Sequence, residues 1–185
     1  LLLGHYERLP DVILPPNKDG SPHKAPRVAQ QAVRHREHWR QWRAALVIEL
    51  LKILGEFKGD PAAALQLVPW TSDIKLGLLT CPCAVKRLPS REVKATVRLC
   101  ARGDRERLEP GQDPYQATVR TTSMFLVMKL AQMYMLPFFC YDFKGAFLNA
   151  DARELRFYKF PEYIYDYMPK WAQEVYDEIK ASGQV

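Results

Sequence analysis

Apolar residues recur three or four positions apart between residues 26 and 57, which is the most regular pattern in the chain. This spacing puts them on one side of an α-helix, so the sequence predicts one long amphipathic helix over 26–57. Gly59 and Pro61 follow and end it, because neither residue continues a helix well. Other elements of the fold must therefore cover one side of this helix. The apolar positions are Val28, Ala32, Trp39, Trp42, Leu46, Leu50 and Ile53.

The first half of the predicted helix is also rich in arginine. Guanidinium groups pair with phosphate oxygens and indole rings stack on bases, so this mixture is typical of an RNA-binding surface. A solvated charged face above a core anchored by tryptophan explains the same residues equally well. The net charge of +6 and the pI of about 9.2 fit both interpretations. The candidate nucleic-acid-binding residues of this segment are Arg34, Arg36, Trp39, Arg40 and Arg43.

The composition limits the class of protein. A chain of 185 residues with 48% apolar residues can bury the core of one domain. The four cysteines show no Cys-x-x-Cys spacing, so we expect reduced thiols, no zinc site and an intracellular reducing compartment. The chain begins without methionine, and an organelle is the expected location if a targeting peptide has been removed. Charged and polar residues interrupt the longest apolar runs, which predicts no transmembrane segment.

Prolines and glycines divide the chain into three parts. Residues 1–25 are rich in proline and lack an apolar period, so we expect an extended arm that lies on neighbouring protein subunits of a larger complex. Residues 26–167 form the predicted main domain. Residues 168–185 form a predicted C-terminal amphipathic helix, which we expect to be the natural end of the protein.

Short apolar stretches and one further helix make up the rest of the main domain. The helix is predicted over 121–135, and we expect its methionine and aromatic side chains to face the core. Together with the helix at 26–57, these elements predict an α+β fold. The stretches with strand character lie near 65–69, 81–87, 94–101, 137–143 and 155–160.

Residues 141–162, "YDFKGAFLNADARELRFYKFPE", resemble the first catalytic segment of copia-type retrotransposon reverse transcriptases. That family reads approximately Asp-Val-Lys-Thr-Ala-Phe-Leu-Asn-Gly, with Pro-Glu-Gly a short distance on. Gly145 and Ala150 differ from the family pattern. Five upstream segments resemble other family motifs in the family order, and the resemblance covers about residues 42–164. The matching residues are Asp142, Lys144, Ala146, Phe147, Leu148, Asn149, Pro161 and Glu162.

The resemblance implies the fingers and a truncated palm of a right-hand polymerase. In that family the carboxylate at the position of Asp142 binds two Mg²⁺ ions that activate nucleotidyl transfer. Phe147 matches the aromatic residue that closes off the space of a ribose 2′-hydroxyl. Arg98 and Arg102 match fingers positions whose charge meets an incoming triphosphate.

The carboxylates that would complete a two-metal site are missing from this sequence. The family supplies them from a Tyr-x-Asp-Asp hairpin, and no such motif occurs here. The first hypothesis is therefore a non-catalytic subunit derived from a reverse transcriptase, which binds RNA or has a structural role in a ribonucleoprotein such as a ribosome-like particle, without a cofactor. The second is the amino-terminal part of an active RNA-directed DNA polymerase that is completed elsewhere and uses Mg²⁺ at Asp142. The third is a scaffold subunit of a protein-only complex.

Overall fold

The computed structural model of the chain describes residues 10–61, 63–69, 71, 75–102, 119–139 and 156–182. It is a mixed α+β structure with small sheets, as predicted. The chain divides into two compact units. The first unit contains residues 1–105 and 151–185, and the second contains residues 106–150.

In the described part of the first unit, helices both precede and follow the strands in sequence. Because α2 carries apolar residues three and four positions apart, one of its sides is buried, at Trp42, Leu46 and Leu50 among others. The C-terminal helix predicted over 168–185 is confirmed over Lys170–Ala181. The helices of this unit are α1 (Ala29–Ala32), α2 (Trp39–Leu54), the 3₁₀ helix Glu162–Tyr167 and α4 (Lys170–Ala181).

The prediction of one continuous helix over 26–57 is wrong, because the chain turns between α1 and α2. Val28 is extended and forms a β-bridge with Pro82, which prevents an earlier helix start. The Nδ1 atom of His35 accepts the backbone N–H groups of Glu37 at 3.4 Å and His38 at 3.2 Å. These side-chain hydrogen bonds take the place of the i→i−4 backbone hydrogen bonds of a helix, so the helix begins again only at residue 39.

The strands form two small sheets in the described part of the chain. In one sheet β1 is central, pairing antiparallel with β4 and parallel with β5. In the other, β2 and β3 form an antiparallel hairpin, in which Val85 lies opposite Ala95. The strands are β1 (Leu76–Thr80), β2 (Cys83–Arg87), β3 (Val93–Val97), β4 (Cys100–Ala101) and β5 (Phe157–Lys159).

The predicted strands near 81–87, 94–101 and 155–160 are confirmed, since they contain β2, β3 with β4, and β5. The prediction near 65–69 is wrong, because these residues are irregular and the strand lies further along, at β1. In the predicted strand near 137–143, residues 137–139 are irregular and the remainder lies outside the described residues.

The proline-rich arm packs against its own chain from residue 12 to residue 14. The N–H of Leu14 donates to the carbonyl of Val93 at 2.7 Å, and the N–H of Ala95 donates to the carbonyl of Val12 at 2.9 Å. Leu14 is buried in the core. The expectation that the whole arm lies on other subunits is therefore wrong for this stretch, because the free edge of β3 offers it hydrogen bonds and the core offers an apolar site.

The core of the first unit lies between α2, the β2–β3 hairpin and the C-terminal helices. Trp42, Leu46 and Leu50 of α2 pack together with Ala95 and Val97 of β3. The 3₁₀ helix and α4 contribute fully buried side chains at Ile164 and Ala172. This packing brings the segment around residue 167 close to the amino end of α2, where the candidate site lies.

The second unit is described over residues 119–139, which include α3 (Thr121–Met133). The helix predicted over 121–135 is confirmed. Its expected burial is wrong, because no residue of α3 is buried and Phe125, Leu126 and Val127 are all more than half exposed. No helix in the described ranges is both long enough and apolar enough to cross a membrane.

Candidate nucleic-acid interface

Five exposed side chains predicted as a nucleic-acid-binding surface lie around the amino end of α2. Two of them stand in the turn before the helix and three in its first two turns. We call this set the arginine platform. Its members are Arg34, Arg36, Trp39, Arg40 and Arg43.

The indole ring of Trp39 organises the platform. The guanidinium carbon of Arg40 lies 5.2 Å from the centroid of the ring, and that of Arg43 lies 4.5 Å from it. Both distances are typical of cation–π contacts. Trp39 remains 37% exposed, whereas Trp42, three residues later, is buried in the core. The indole therefore holds guanidinium groups at the surface, which leaves less of its ring open to a stacked base than the sequence alone indicates.

Arg43 has two further contacts that fix its position. Its Nε–H donates to the carbonyl of Val33 at 3.4 Å. Its guanidinium carbon also lies 5.7 Å from the ring of Tyr167, in the 3₁₀ helix. Tyr167 was not predicted as part of the site, because nothing in the sequence around it indicates that folding brings it beside α2.

The platform concentrates positive charge where a helix already carries a partial positive charge. The macrodipole of α2 favours carboxylates in the first turn, yet the first turn has no acidic residue. The N-cap residue His38 also makes no side-chain capping hydrogen bond. Within the described ranges, none of the four arginines forms a salt bridge with a carboxylate. The amino end of α2 therefore attracts anions, at a cost to the helix.

Three histidines lie next to the platform, beside a cavity of about 510 Å³. His38 is 4% exposed, and its ring centroid is 5.1 Å from that of His23 and 5.6 Å from that of His35. Burial, together with the two neighbouring imidazoles, lowers the pKa of His38. The rings of His35 and His38 are stacked, and His35 uses Nδ1 for backbone N–H groups. Such rings do not converge on an ion, and no set of three metal ligands occurs among the described residues.

The two fingers positions implied by the family resemblance lie apart from the platform. Leu99, which follows Arg98, donates its N–H to the Glu49 carboxylate at 3.1 Å. Glu49 is ten residues beyond Trp39 on α2, a rise of about 15 Å along the helix. Arg102 donates its backbone N–H to the carbonyl of Leu78 in β1 at 2.8 Å. The structure therefore does not join these two arginines to the five platform residues.

The described cysteines are free thiols. Burial raises the pKa of Cys81 to about 11 and that of Cys83 to about 12. Burial, together with the neighbouring Cys81 side chain, raises the pKa of the Tyr163 phenol as well. The thiols of Cys81 and Cys83 are therefore protonated at neutral pH.

A second cavity, of about 460 Å³, lies within the first unit and is lined mainly by apolar side chains. Leu67, Phe157 and Tyr176 are among them. Lys159 contributes a positive charge to the lining. The sequence predicts strands on two of the contributing segments but no cavity, since the lining depends on the pairing of β5 with β1.

The predicted catalytic residues Asp142 and Phe147 lie outside the described residues, so the Mg²⁺ site remains an expectation from the sequence. Comparisons of the chain with protein-family models, with curated proteins and with solved structures found no match. The arginine platform is thus the predicted site whose residues the structure brings together.

Proposed function

We propose that this chain is a non-catalytic RNA-binding subunit of a ribonucleoprotein, derived from a reverse transcriptase, and that it grips RNA through the arginine platform. The observation that carries this proposal is the unbalanced positive charge at the amino end of α2. If these arginines served only to solvate the surface, nothing would require them at the amino end of a helix, where positive charge is least favourable. Residues that break a local rule of helix stability are typical of functional sites.

The platform suits the phosphate backbone better than the bases. Guanidinium groups form paired hydrogen bonds with phosphate oxygens, and each contact releases counterions from the RNA. Arg40 and Arg43 are already ordered against Trp39, so less side-chain freedom is lost when RNA binds. Such contacts provide affinity and position without reading sequence.

The reverse-transcriptase origin is supported by the order and spacing of the motifs between residues 42 and 164. In this proposal the residues of strands β1 to β4 correspond to fingers, and the segment around Asp142 to a truncated palm. A lone carboxylate cannot hold two Mg²⁺ ions, so the chain by itself is not expected to extend a primer. The match at Asp142 and Phe147 favours a second candidate, in which the chain is part of an active polymerase that other carboxylates complete.

Charge removal on the platform tests RNA binding. Replacement of all four platform arginines by glutamine should weaken the binding of single-stranded RNA, and should lower the slope of log K against log salt by up to about 3. A matched control removes four exposed charges elsewhere and should retain most of the affinity. Equal losses in both variants, or no RNA binding by the wild-type chain, would contradict the proposal. The control replaces Lys75, Lys86, Arg87 and Arg91 by glutamine.

Primer extension separates the two candidates. With Mg²⁺, a primed RNA template and deoxynucleotides, the purified chain should give no product, and Asp142→Ala should bind RNA as tightly as the wild type. If the wild-type chain extends the primer and Asp142→Ala abolishes this extension, the polymerase candidate is correct instead.

A further inference from the structure

The turn over residues 17–21 places the side-chain oxygen of Asn17 next to His38, the N-cap residue of α2. The side-chain Nδ2 of Asn17 donates to the carbonyl of Ser21 at 2.9 Å and to its hydroxyl at 3.2 Å. The N–H of Ser21 donates to Asp19 Oδ1 at 3.0 Å, which closes the turn. Because both amide hydrogens of Asn17 point to Ser21, its Oδ1 atom is the one that faces His38.

This orientation decides which nitrogen of His38 carries the proton. The Nε2 atom of His38 lies 2.7 Å from Asn17 Oδ1, so Nε2–H is the donor in this bond. The Nδ1 atom of the neutral ring then holds a lone pair, and it is buried without a hydrogen-bond partner among the described residues. A second proton would turn Nδ1 into a buried donor with no acceptor, which is costly.

Two further imidazole rings lie beside that of His38. The ring centroid of His23 is 5.1 Å from that of His38, and the centroid of His35 is 5.6 Å from it. The Nδ1 atom of His35 accepts the backbone N–H groups of Glu37 and His38, which fixes this ring against that of His38.

We propose that His38 and Asn17 form a proton-sensitive latch, which holds the 17–24 segment on the amino end of α2 when the His38 ring is neutral and releases it in mildly acidic solution. A proton on Nδ1 of His38 would be buried without an acceptor, beside the rings of His23 and His35. The charged groups that face the cluster or line its cavity are Asp19 and Lys24 from the arm, and Glu37 beside His38.

The neighbouring carboxylates do not cancel this effect. Glu37 Oε2 lies 3.9 Å from the Nε2 atom of His38, and this nitrogen already donates to Asn17. Glu37 is therefore on the Nε2 side of the ring and does not provide an acceptor for Nδ1. Glu37 and Asp19 are exposed, and water screens their charges.

The sign of the pH dependence follows from burial. Burial and the two nearby imidazoles lower the pKa of His38 in the folded state, so the released or unfolded chain binds more protons. The latched state is fully stable above the ordinary histidine pKa of about 6.5 and loses stability as pH falls below it. The latch depends only on these contacts, and its failure would leave the proposed RNA binding untouched.

Hydrogen–deuterium exchange of the whole chain at pH 7.5 and pH 5.5, corrected for intrinsic exchange rates, tests the latch. In the wild type, exchange of residues 17–24 should rise at pH 5.5, with an opening equilibrium that increases up to about ten-fold per pH unit for each proton taken up. His38→Gln keeps a donor for Asn17 and cannot be protonated, so its exchange should be nearly the same at both pH values.

A second variant keeps the proposal falsifiable if His38→Gln does not fold. Asn17→Leu removes the acceptor of the latch and should give fast exchange of residues 17–24 already at pH 7.5. Slow exchange in Asn17→Leu, or equal exchange of the wild type at both pH values, would overturn the proposal. Retention of the pH response in folded His38→Gln would also overturn it.

Discussion

The guanidinium carbon of Arg43 lies 4.5 Å from the centroid of the Trp39 ring, one helical turn away on α2. The same guanidinium lies 5.7 Å from the ring of Tyr167, which comes from the 3₁₀ helix. One side chain at the start of α2 is thus held by a local neighbour and by a residue from the end of the chain. Tertiary folding, and not the helix alone, fixes the cation that we propose contacts phosphate.

Alanine substitutions of the two tryptophans of α2 should separate effects on RNA binding from effects on stability. Trp39 is partly exposed and Trp42 is buried, although they are three residues apart. Trp42→Ala should lower the free energy of unfolding by about 3–5 kcal/mol, since it leaves a large cavity. Trp39→Ala should lower it by less than about 1 kcal/mol and should weaken RNA binding, because Arg40 and Arg43 lose their support.

Urea unfolding followed by circular dichroism gives the free energies, and fluorescence anisotropy with labelled RNA gives the affinities. A Trp39→Ala variant that unfolds as easily as Trp42→Ala would show that the exposed ring belongs to the core. Unchanged RNA affinity in a folded Trp39→Ala variant would show that the indole does not contribute to RNA binding.

Local patterns predicted the elements whose stability is mostly local. The spacing of apolar residues located α3 and α4, and short β-branched runs located β2 and β3. By contrast, β1 has the sequence Leu-Gly-Leu-Leu-Thr, and it pairs in parallel with β5, about eighty residues later in the chain. A strand that depends on such a distant partner leaves little signal in its own residues.

The residues of the candidate site could be predicted from the sequence, but their arrangement in space could not. The arginines and Trp39 stood out by composition alone. The turn that places Arg34 and Arg36 before the helix depends on His35, whose side chain accepts backbone N–H groups. The apolar period continues through this turn, so periodicity alone predicted an unbroken helix. The contact of Tyr167 with Arg43 arises only from the packing of the C-terminal segment.

Glu49 should make stability fall as pH rises through the acidic range. It lies on α2 and accepts the N–H of Leu99, and burial raises the pKa of its carboxyl. The folded state therefore binds more protons than the unfolded state at pH values just above the ordinary glutamate pKa. At pH 7 the ionised group costs stability, and this cost disappears once the pH falls below the ordinary value of about 4.3.

Glu49→Gln keeps an acceptor for Leu99 and removes the charge. Its free energy of unfolding at pH 7 should equal or exceed that of the wild type, by on the order of 1 kcal/mol or less, and the difference should vanish near pH 4. Glu49→Ala is the contrasting variant, because it leaves a half-buried N–H unpaired and should cost about 1–3 kcal/mol. Urea unfolding at both pH values measures this, and a Glu49→Gln variant less stable than Glu49→Ala would contradict the interpretation.

Cys81 should resist alkylation in the folded protein. It is fully buried, and its pKa of about 11 leaves almost no thiolate at pH 8. Iodoacetamide at pH 8 should therefore modify Cys81 at least about a hundred-fold more slowly in buffer than in concentrated urea, since a pKa two units higher alone reduces the thiolate fraction by about that factor. Tandem mass spectrometry of the peptide containing Cys81 and Cys83 measures each site, and rapid labelling of native Cys81 would show that this part of the core opens readily.

Gly77→Ala should break the pairing of β1 with β5. A Cβ atom at residue 77 would lie 2.6 Å from ring carbons of Tyr158, its cross-strand partner in the register. Neither backbone can give way without loss of the ladder, so we expect a loss of about 1–3 kcal/mol in the free energy of unfolding. Replacing Tyr158 by alanine in the same chain removes the obstructing ring, and the double variant should be more stable than the sum of the two single losses predicts. Additive losses in urea unfolding would show that the glycine is required for some other reason than the approach of this ring.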